Sequence, residues 1–432
     1  MTATLELYPF PVSFPKSEIF TATINGQSHP VLHDSMDDFL SFGFEGEVEI
    51  EISCPTTLTA EDVLLQPTNR GIAVEVQENK VRFKLDQPRD VSLSINGLKP
   101  LFLFSNPLEK LPDESDEVRV FRAGQIYEVG LLEMKSGQTI HIQGGAIVKG
   151  AIHMNKIQDA TLTGYGVLDN SFFTRANGTF TVYPAESRNI RVSGITMIRP
   201  TRWMFLILGS EQVEVEGIRQ ITTDRGRDGI DIVSSEGVTV RDSFICTGDD
   251  CIAIKAGLKG PYAERGPDAR DILVENCLLL NQGSGSALEI GHELRCDLVE
   301  NITFRDCVIL AVHNFGAALC INNGEGATVR NVLYERIRVE HFYEFLVHFR
   351  IMKSRYSHQQ TRGQVRDVVV RDVEALESIY NPGYSMSIIG GFDPEHTIEG
   401  VRFENLRLGD RKITSLDELD AFTRNTADIT FR

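Results

Sequence analysis

Asn189-Ile-Arg-Val-Ser-Gly-Ile195, Gln212-Val-Glu-Val-Glu-Gly-Ile218, Asp271-Ile-Leu-Val-Glu-Asn-Cys277 and Asn301-Ile-Thr-Phe-Arg-Asp-Cys307 are one pattern written four times. Gly237-Val-Thr-Val-Arg-Asp-Ser243, Asn331-Val-Leu-Tyr-Glu-Arg-Ile337, Asp367-Val-Val-Val-Arg-Asp-Val373 and Gly400-Val-Arg-Phe-Glu-Asn-Leu406 continue it, and Asp159-Ala-Thr-Leu-Thr-Gly-Tyr165 is a weaker first copy. Their second positions, 160, 190, 213, 238, 272, 302, 332, 368 and 401, are 30, 23, 25, 34, 30, 30, 36 and 33 residues apart. Repeats of this length mark a solenoid or an array. Each copy alternates apolar and polar residues, so the unit is a short strand. Variable spacing argues against propeller blades, which need four strands each. Coils that stack and vary only at their turns make a parallel β-helix of at least nine coils. Cys277 and Cys307 hold the place of Ile195, Ile218 and Ile337, which predicts buried thiols in a core stack.

A second strand recurs in each coil: Met204-Phe-Leu-Ile-Leu208, Gly229-Ile-Asp-Ile-Val233, Cys251-Ile-Ala-Ile-Lys255, Ala287-Leu-Glu-Ile-Gly291, Ala318-Leu-Cys-Ile-Asn322, Leu346-Val-His-Phe-Arg350 and Tyr384-Ser-Met-Ser-Ile388. Its alternate residues face outward, where chemistry can differ from coil to coil. Ahead of the repeats, Val48-Glu-Ile-Glu-Ile52, Ile72-Ala-Val-Glu-Val76, Lys80-Val-Arg-Phe-Lys-Leu85 and Val91-Ser-Leu-Ser-Ile95 are broken at Asn79, Pro88 and Asn96-Gly97. That pattern predicts a small antiparallel β-sandwich. The polar stretch Pro112-Asp-Glu-Ser-Asp-Glu117 places the boundary, giving a sandwich over 1–112 and an all-β helical domain over 113–432.

Composition narrows the partners. The 432 residues carry 43 Lys and Arg against 61 Asp and Glu, a net charge of −18. So acidic a surface excludes nucleic acid and anionic membrane, which are captured by basic patches. No run approaches the ~20 apolar residues of a membrane span. The seven cysteines form no CxxC pair, which speaks against a zinc ribbon and for reduced thiols. The opening residues lack a charged segment followed by an apolar one, so a cytoplasmic protein is expected.

Two neighbouring coils hold acid clusters: Arg227-Asp-Gly-Ile-Asp-Ile232 and Thr247-Gly-Asp-Asp-Cys-Ile252. Asp228 and Asp249 are 21 residues apart, about one coil, and stacked parallel strands lie ~4.8 Å apart. Asp228, Asp249 and Asp250 are therefore expected to meet on one face. Close carboxylates repel, and the least solvated holds its proton above the ordinary range. Glycoside hydrolysis uses such a set, one group protonating the leaving oxygen while another activates water. An isolated Asp in a turn, by contrast, caps backbone amides, as expected of Asp231, Asp159 and Asp242.

At these residues, roughly 117 to 410, the chain resembles glycoside hydrolase family 28, the polygalacturonases, which are right-handed parallel β-helices acting by inversion. Asp228-Gly-Ile-Asp231 and Gly248-Asp-Asp-Cys-Ile-Ala-Ile254 carry the resemblance. Phe121-Arg-Ala-Gly-Gln-Ile-Tyr127, Gly144-Gly-Ala-Ile-Val-Lys-Gly150 and Gly164-Tyr-Gly-Val-Leu-Asp169 resemble that family's opening coils. The resemblance implies Asp249 as general acid, with Asp228 and Asp250 positioning and activating water. It also implies an oligosaccharide or polysaccharide substrate, with no metal and no cofactor.

The chain departs from the family at two motifs. Ser286 stands where the family has His, and Cys320-Ile-Asn322 stands where Arg-Ile-Lys grips the uronate carboxylate. Each lost cation removes a charge-assisted bond of ~1.5–3 kcal/mol. Candidate replacements are Lys255, His348 and Arg350 on the outward ladder, Lys353 close behind it, and His292 and Glu293 after the Leu288-Glu-Ile-Gly291 strand. Trp203, the only tryptophan, suits either a sugar-stacking platform or the core. The sandwich, packed near the groove, is expected to close one end and make action exo. Two other readings stand beside this one. A neutral α-glycan could be the substrate, as in the dextranase family 49, which resembles this chain in its domain layout. The β-helix could also bind carbohydrate without cleaving it.

Overall fold

The computed structural model describes residues 3–257, 264–376 and 386–432. The repeats form a right-handed parallel β-helix. One strand of each copy enters a 13-stranded parallel sheet that runs from Val118–Phe121 to Ile398–Glu404 and the C-terminal strands. Its register stacks the second position of every copy in one column: Ala160, Ile190, Val213, Val238, Ile272, Ile302, Val332, Val368 and Val401. All nine are buried in the core. The second strand of each coil belongs to a 21-stranded sheet that closes the tube. Of Tyr384–Ile388, the first two residues lie outside the described residues, and Met386–Gly390 is strand.

The first position of each copy explains itself. Asp159, Asn189, Gln212, Asp271, Asn301, Asn331 and Asp367 have φ between 52° and 58°. The left-handed region costs an ordinary residue ~1–2 kcal/mol, and Asn, Asp and Gly enter it most readily. The amides also bond from coil to coil, Asn301 Nδ2 to Asp271 Oδ1 at 2.8 Å and Asn331 Nδ2 to Asn301 Oδ1 at 2.6 Å. Asp159 and Asp242 likewise accept from the Asn189 and Asn276 side chains. They serve a side-chain ladder, where backbone caps were expected.

All seven cysteines are buried free thiols, and Cys277 and Cys307 lie in the helix core. The helical core is continuous from Phe121 to Leu419, so the coils share their stability with their neighbours. No helix among the described residues is long and apolar enough to cross a membrane.

The N-terminal sandwich consists of a six-stranded and a five-stranded sheet. Pairing is antiparallel except where Leu101–Asn106 lies parallel to Asp38–Glu45. The sandwich lies along the flank of the helix. Phe102 and Phe104 meet Phe244, with ring centroids 5.1 and 5.3 Å apart. Arg219 reaches Asp90 with two bonds of 2.9 and 3.0 Å, and Thr68 donates to Glu340. The contacts thus span coils from Arg219 to Glu340. None of the described residues lining the acidic cleft comes from the sandwich, so it does not close that cleft as anticipated.

Candidate active site

The two acid loops open on one cleft of about 500 Å³. Its lining runs from Trp203 through Asp228, Asp249 and Asp250, then Glu289 and His292, to Asn322, His348 and Tyr356. A larger groove of about 870 Å³ lies between the sandwich and the helix. Its Arg219 and His141 are already paired with Asp90 and Glu109, and the acid cluster is absent from it. The chemistry belongs to the smaller cleft.

Local structure aims the trio. The Thr247 hydroxyl and Asn281 Nδ2 both donate to the Asp249 carbonyl at 2.7 Å. Gly229 N–H donates to the Asp250 carbonyl at 2.8 Å, tying one acid loop to the next. Gly285 lets the carboxylates face the cleft: at φ 74°, a Cβ there would come within 2.4 Å of Asp250 Oδ1 and 2.5 Å of Asp249 Oδ1. Side-chain oxygens of Asp228, Asp249 and Asp250 all lie within 4.8 Å of one another. That is shorter than the ~6.5–9.5 Å usual between the carboxyl groups of inverting enzymes.

Lys255 gathers the acids. Its ammonium lies 2.6 Å from Asp231 Oδ1, 2.8 Å from Asp228 Oδ2 and 3.8 Å from Asp250 Oδ2. It also lies 4.4 Å from the Trp203 ring centroid. With its side chain 5% exposed, Lys255 is an internal counter-charge, where a cation for substrate was expected. Asp231, expected as a backbone cap, is the second arm of this clamp. Trp203 lines the cleft and also packs against a small buried cluster around Leu206 and Val233.

Burial and mutual repulsion set the protonation. Asp249 is pushed up to about 6, first by burial and then by the Asp228 charge, against a 3.0 Å bond from the Ser284 hydroxyl. Burial raises Asp228 to about 8, with Lys255 pulling it down and Asp231 pushing it up. Asp250 is raised far above the carboxylate range by burial, then by Glu289 and Asp228. Its Oδ1 still accepts the Ser286 N–H at 2.7 Å.

Glu289 is the residue that reading the sequence missed. Burial works to raise it, but His292, a bond with Asp250, Lys255 and Asn322 outweigh that and lower it. Register places it between Ala253 and Cys320, on the ladder that continues to His348. A Glu at an outward position of the quoted strand, flanked by a small residue and a thiol, was the available signal.

The other candidates divide. Ser286, His292, Glu293, Asn322 and His348 line the cleft. His348 is lowered to about 4 by burial and then Arg350, so it is neutral near pH 7 and cannot replace a lost cation. Arg350 pairs with Asn322 in register, but neither it nor the exposed Lys353 is part of the lining. The long side chains that do reach the cleft from the stretch after it are Met352, Arg355 and Tyr356. Buried Glu325 accepts the His358 and Gln359 N–H groups at 2.8 Å, which anchors this wall.

A parallel β-helix with a carboxyl trio, two members buried and one partly exposed, at the floor of an outward cleft defines a glycoside hydrolase type of site. Residues 130–381 match the profile of Glycosyl hydrolases family 28, and the chain belongs to that family. It is 22% identical over 238 residues to a polygalacturonase of Prunus persica, covering 54% of this chain and 56% of that protein. It is 25% identical over 232 residues to a probable endo-xylogalacturonan hydrolase A of Neosartorya fischeri, covering 49% and 53%. The chain thus spans about half the length of the curated relatives it matches. Among solved structures, Dex49A from Penicillium minioluteum aligns over 98% of this chain and 96% of its own, with TM-score 0.60 and 12% identity. The polygalacturonase from Erwinia carotovora aligns over 73% and 89%, with TM-score 0.51 and 16% identity. Dex49A matches across both the sandwich and the β-helix, which supports the fold of the whole chain.

Proposed function

We propose that the protein is an inverting glycoside hydrolase that removes terminal units from short oligosaccharides. The observation that carries this reading is Asp249. It is the partly exposed member of the trio, raised to about 6, with two buried carboxyls beside it. Asp249 protonates the glycosidic oxygen as the bond to the anomeric carbon breaks. The reactive microstate carries its proton on Asp249 and leaves Asp228 ionised, a minority form between pH 6 and pH 8. In it, water held by Asp228 and Asp250 attacks from the opposite face and passes its proton to Asp228. Asp228 and Asp250 are 4% and 8% exposed. Lys255 holds the first, and the Ser286 N–H holds the second. Carboxyls so tied and covered suit holding a water better than attacking the sugar directly. A cleft of about 500 Å³ is in the range that encloses small ligands, which fits a few sugar rings. The wall at Arg355 and Tyr356 supports action at a chain end.

The test is turnover of an oligosaccharide panel with anomer-resolved products. Inverted product and loss of turnover in Asp249→Asn are expected. A retained anomer sinks the water-activation scheme, and unaltered turnover in Asp249→Asn sinks the acid assignment. If the wild type binds sugars but cleaves none, the protein is a carbohydrate-binding β-helix.

A further inference from the structure

The part of the cleft beside the trio is built from hydrogen-bond acceptors. Glu289 is 2% exposed and Asn322 is 5% exposed, and both line the cleft. Asn322 Nδ2 donates to Glu289 Oε1 at 3.2 Å and lies 3.1 Å from Cys320 Sγ. With the amide so oriented, Asn322 Oδ1 has no protein partner. A buried acceptor left alone costs ~1–3 kcal/mol, so a small shift of the Asn322 amide toward the cleft would gain this covered oxygen a donor from a ligand.

Among the described residues, the Lys and Arg side chains lining the cleft, Lys255 and Arg355, already have partners there. Lys255 is held by Asp228 and Asp231. Arg355 lies over the Tyr356 ring at 4.8 Å and donates to its hydroxyl at 2.5 Å. The gate at Gly291 is tight, since a Cβ there would come within 2.0 Å of the Asn322 carbonyl. Glu289 and Asn322 are therefore fixed by backbone packing as well as by their own bond.

We propose that Glu289 and Asn322 form the sugar subsite beside the cleaved bond and select a neutral hexose, whose hydroxyls donate to the Glu289 carboxylate and Asn322 Oδ1, over the corresponding uronic acid. The inference rests on reading this cleft as a glycosidase site. A hydroxyl can donate to both acceptors. An ionised uronate group has only lone pairs to offer and would share a desolvated space with the Glu289 and Asp249 carboxylates. Like charges that close in a low-dielectric cleft repel strongly.

The experiment measures binding to the Asp249→Asn protein, which separates recognition from turnover. Galactose and glucose α-linked trisaccharides are titrated calorimetrically, each beside its hexuronic acid counterpart. At least one neutral trisaccharide is expected to bind roughly tenfold or more tightly than its uronic partner. Adding Glu289→Gln should weaken that neutral ligand about tenfold, and adding Asn322→Lys should move the ratio toward the uronic sugar. Asn322→Ser serves as the milder second variant, and each melting curve is checked for a native transition. The proposal is overturned if no neutral sugar binds more tightly than its uronic counterpart. It is also overturned if natively folded Glu289→Gln leaves the ratio unchanged. The glycosidase reading fails separately, if the wild type turns over none of the sugars that Asp249→Asn binds.

Discussion

The Lys255 ammonium lies 2.8 Å from Asp228 Oδ2, and both side chains are about 95% buried. One positive charge thus pulls down a carboxyl that burial still holds at about 8. Breaking a buried pair by removing one partner typically costs ~3–5 kcal/mol. Lys255→Met should lose about that much at pH 7 in urea denaturation, and turnover with it. The loss should grow as pH rises through about 8, where Asp228 gives up its proton and lacks the ammonium to face it.

The pH dependence of kcat/KM should be bell-shaped, rising to about pH 6 and falling beyond about pH 8. These limits are the positions to which Asp249 and Asp228 are pushed. They belong to the coupled set of carboxyls and to no single residue. Ser284→Ala removes a hydrogen bond that favours the Asp249 carboxylate, so the limb near pH 6 should move upward and the bell should narrow. A limb that stays in place would detach it from Asp249.

Stability should fall as pH rises through the same range. Asp228 and Asp249 have folded-state positions of about 8 and about 6, above the ~3.9 of a free Asp. Between pH 4 and pH 8 the folded chain therefore binds more protons than the unfolded one, which makes the slope negative. Their contribution is full below about pH 4 and lost as pH climbs past the folded values. Asp228→Asn should flatten the drop in Tm between pH 5 and pH 8.5, measured by calorimetry.

Asn301 has φ 58°, donates to Asp271 and accepts from Asn331. Asn301→Ala should destabilise the coil by ~1–2 kcal/mol from the left-handed backbone alone. Asn301→Gly keeps the backbone free and should cost less, losing only the ladder bonds. Thermal melts of the two variants, compared with the wild type, decide the order.

Much was legible along the chain. The nine columnar residues from Ala160 to Val401 announced their stacking, because alternation and period are local properties that a β-helix repeats without change. The left-handed corners that open each copy are held by Asn, Asp and Gly, with Gln212 the exception, for a local reason of the same kind. Asp228 and Asp249, one coil apart, had to meet once the coils stacked. The sandwich was visible in its strands, but its seat on the flank was not. That seat depends on Phe102, Phe104 and Phe244 finding one another across more than a hundred residues.

Alternation determined which residues face outward, Glu289, Asn322, Arg350 and Lys255 among them. Only the tertiary structure decided what each outward residue does. Lys255 was spent on Asp228 and Asp231, His348 was made neutral, and Arg350 was left outside the lining. Glu289 and Asn322 became the buried acceptors of the floor. The reason is physical: a side chain's charge and availability depend on burial and neighbours from other coils and from walls such as 352–358. Those cross-coil environments are set by turns of irregular length, which no period encodes.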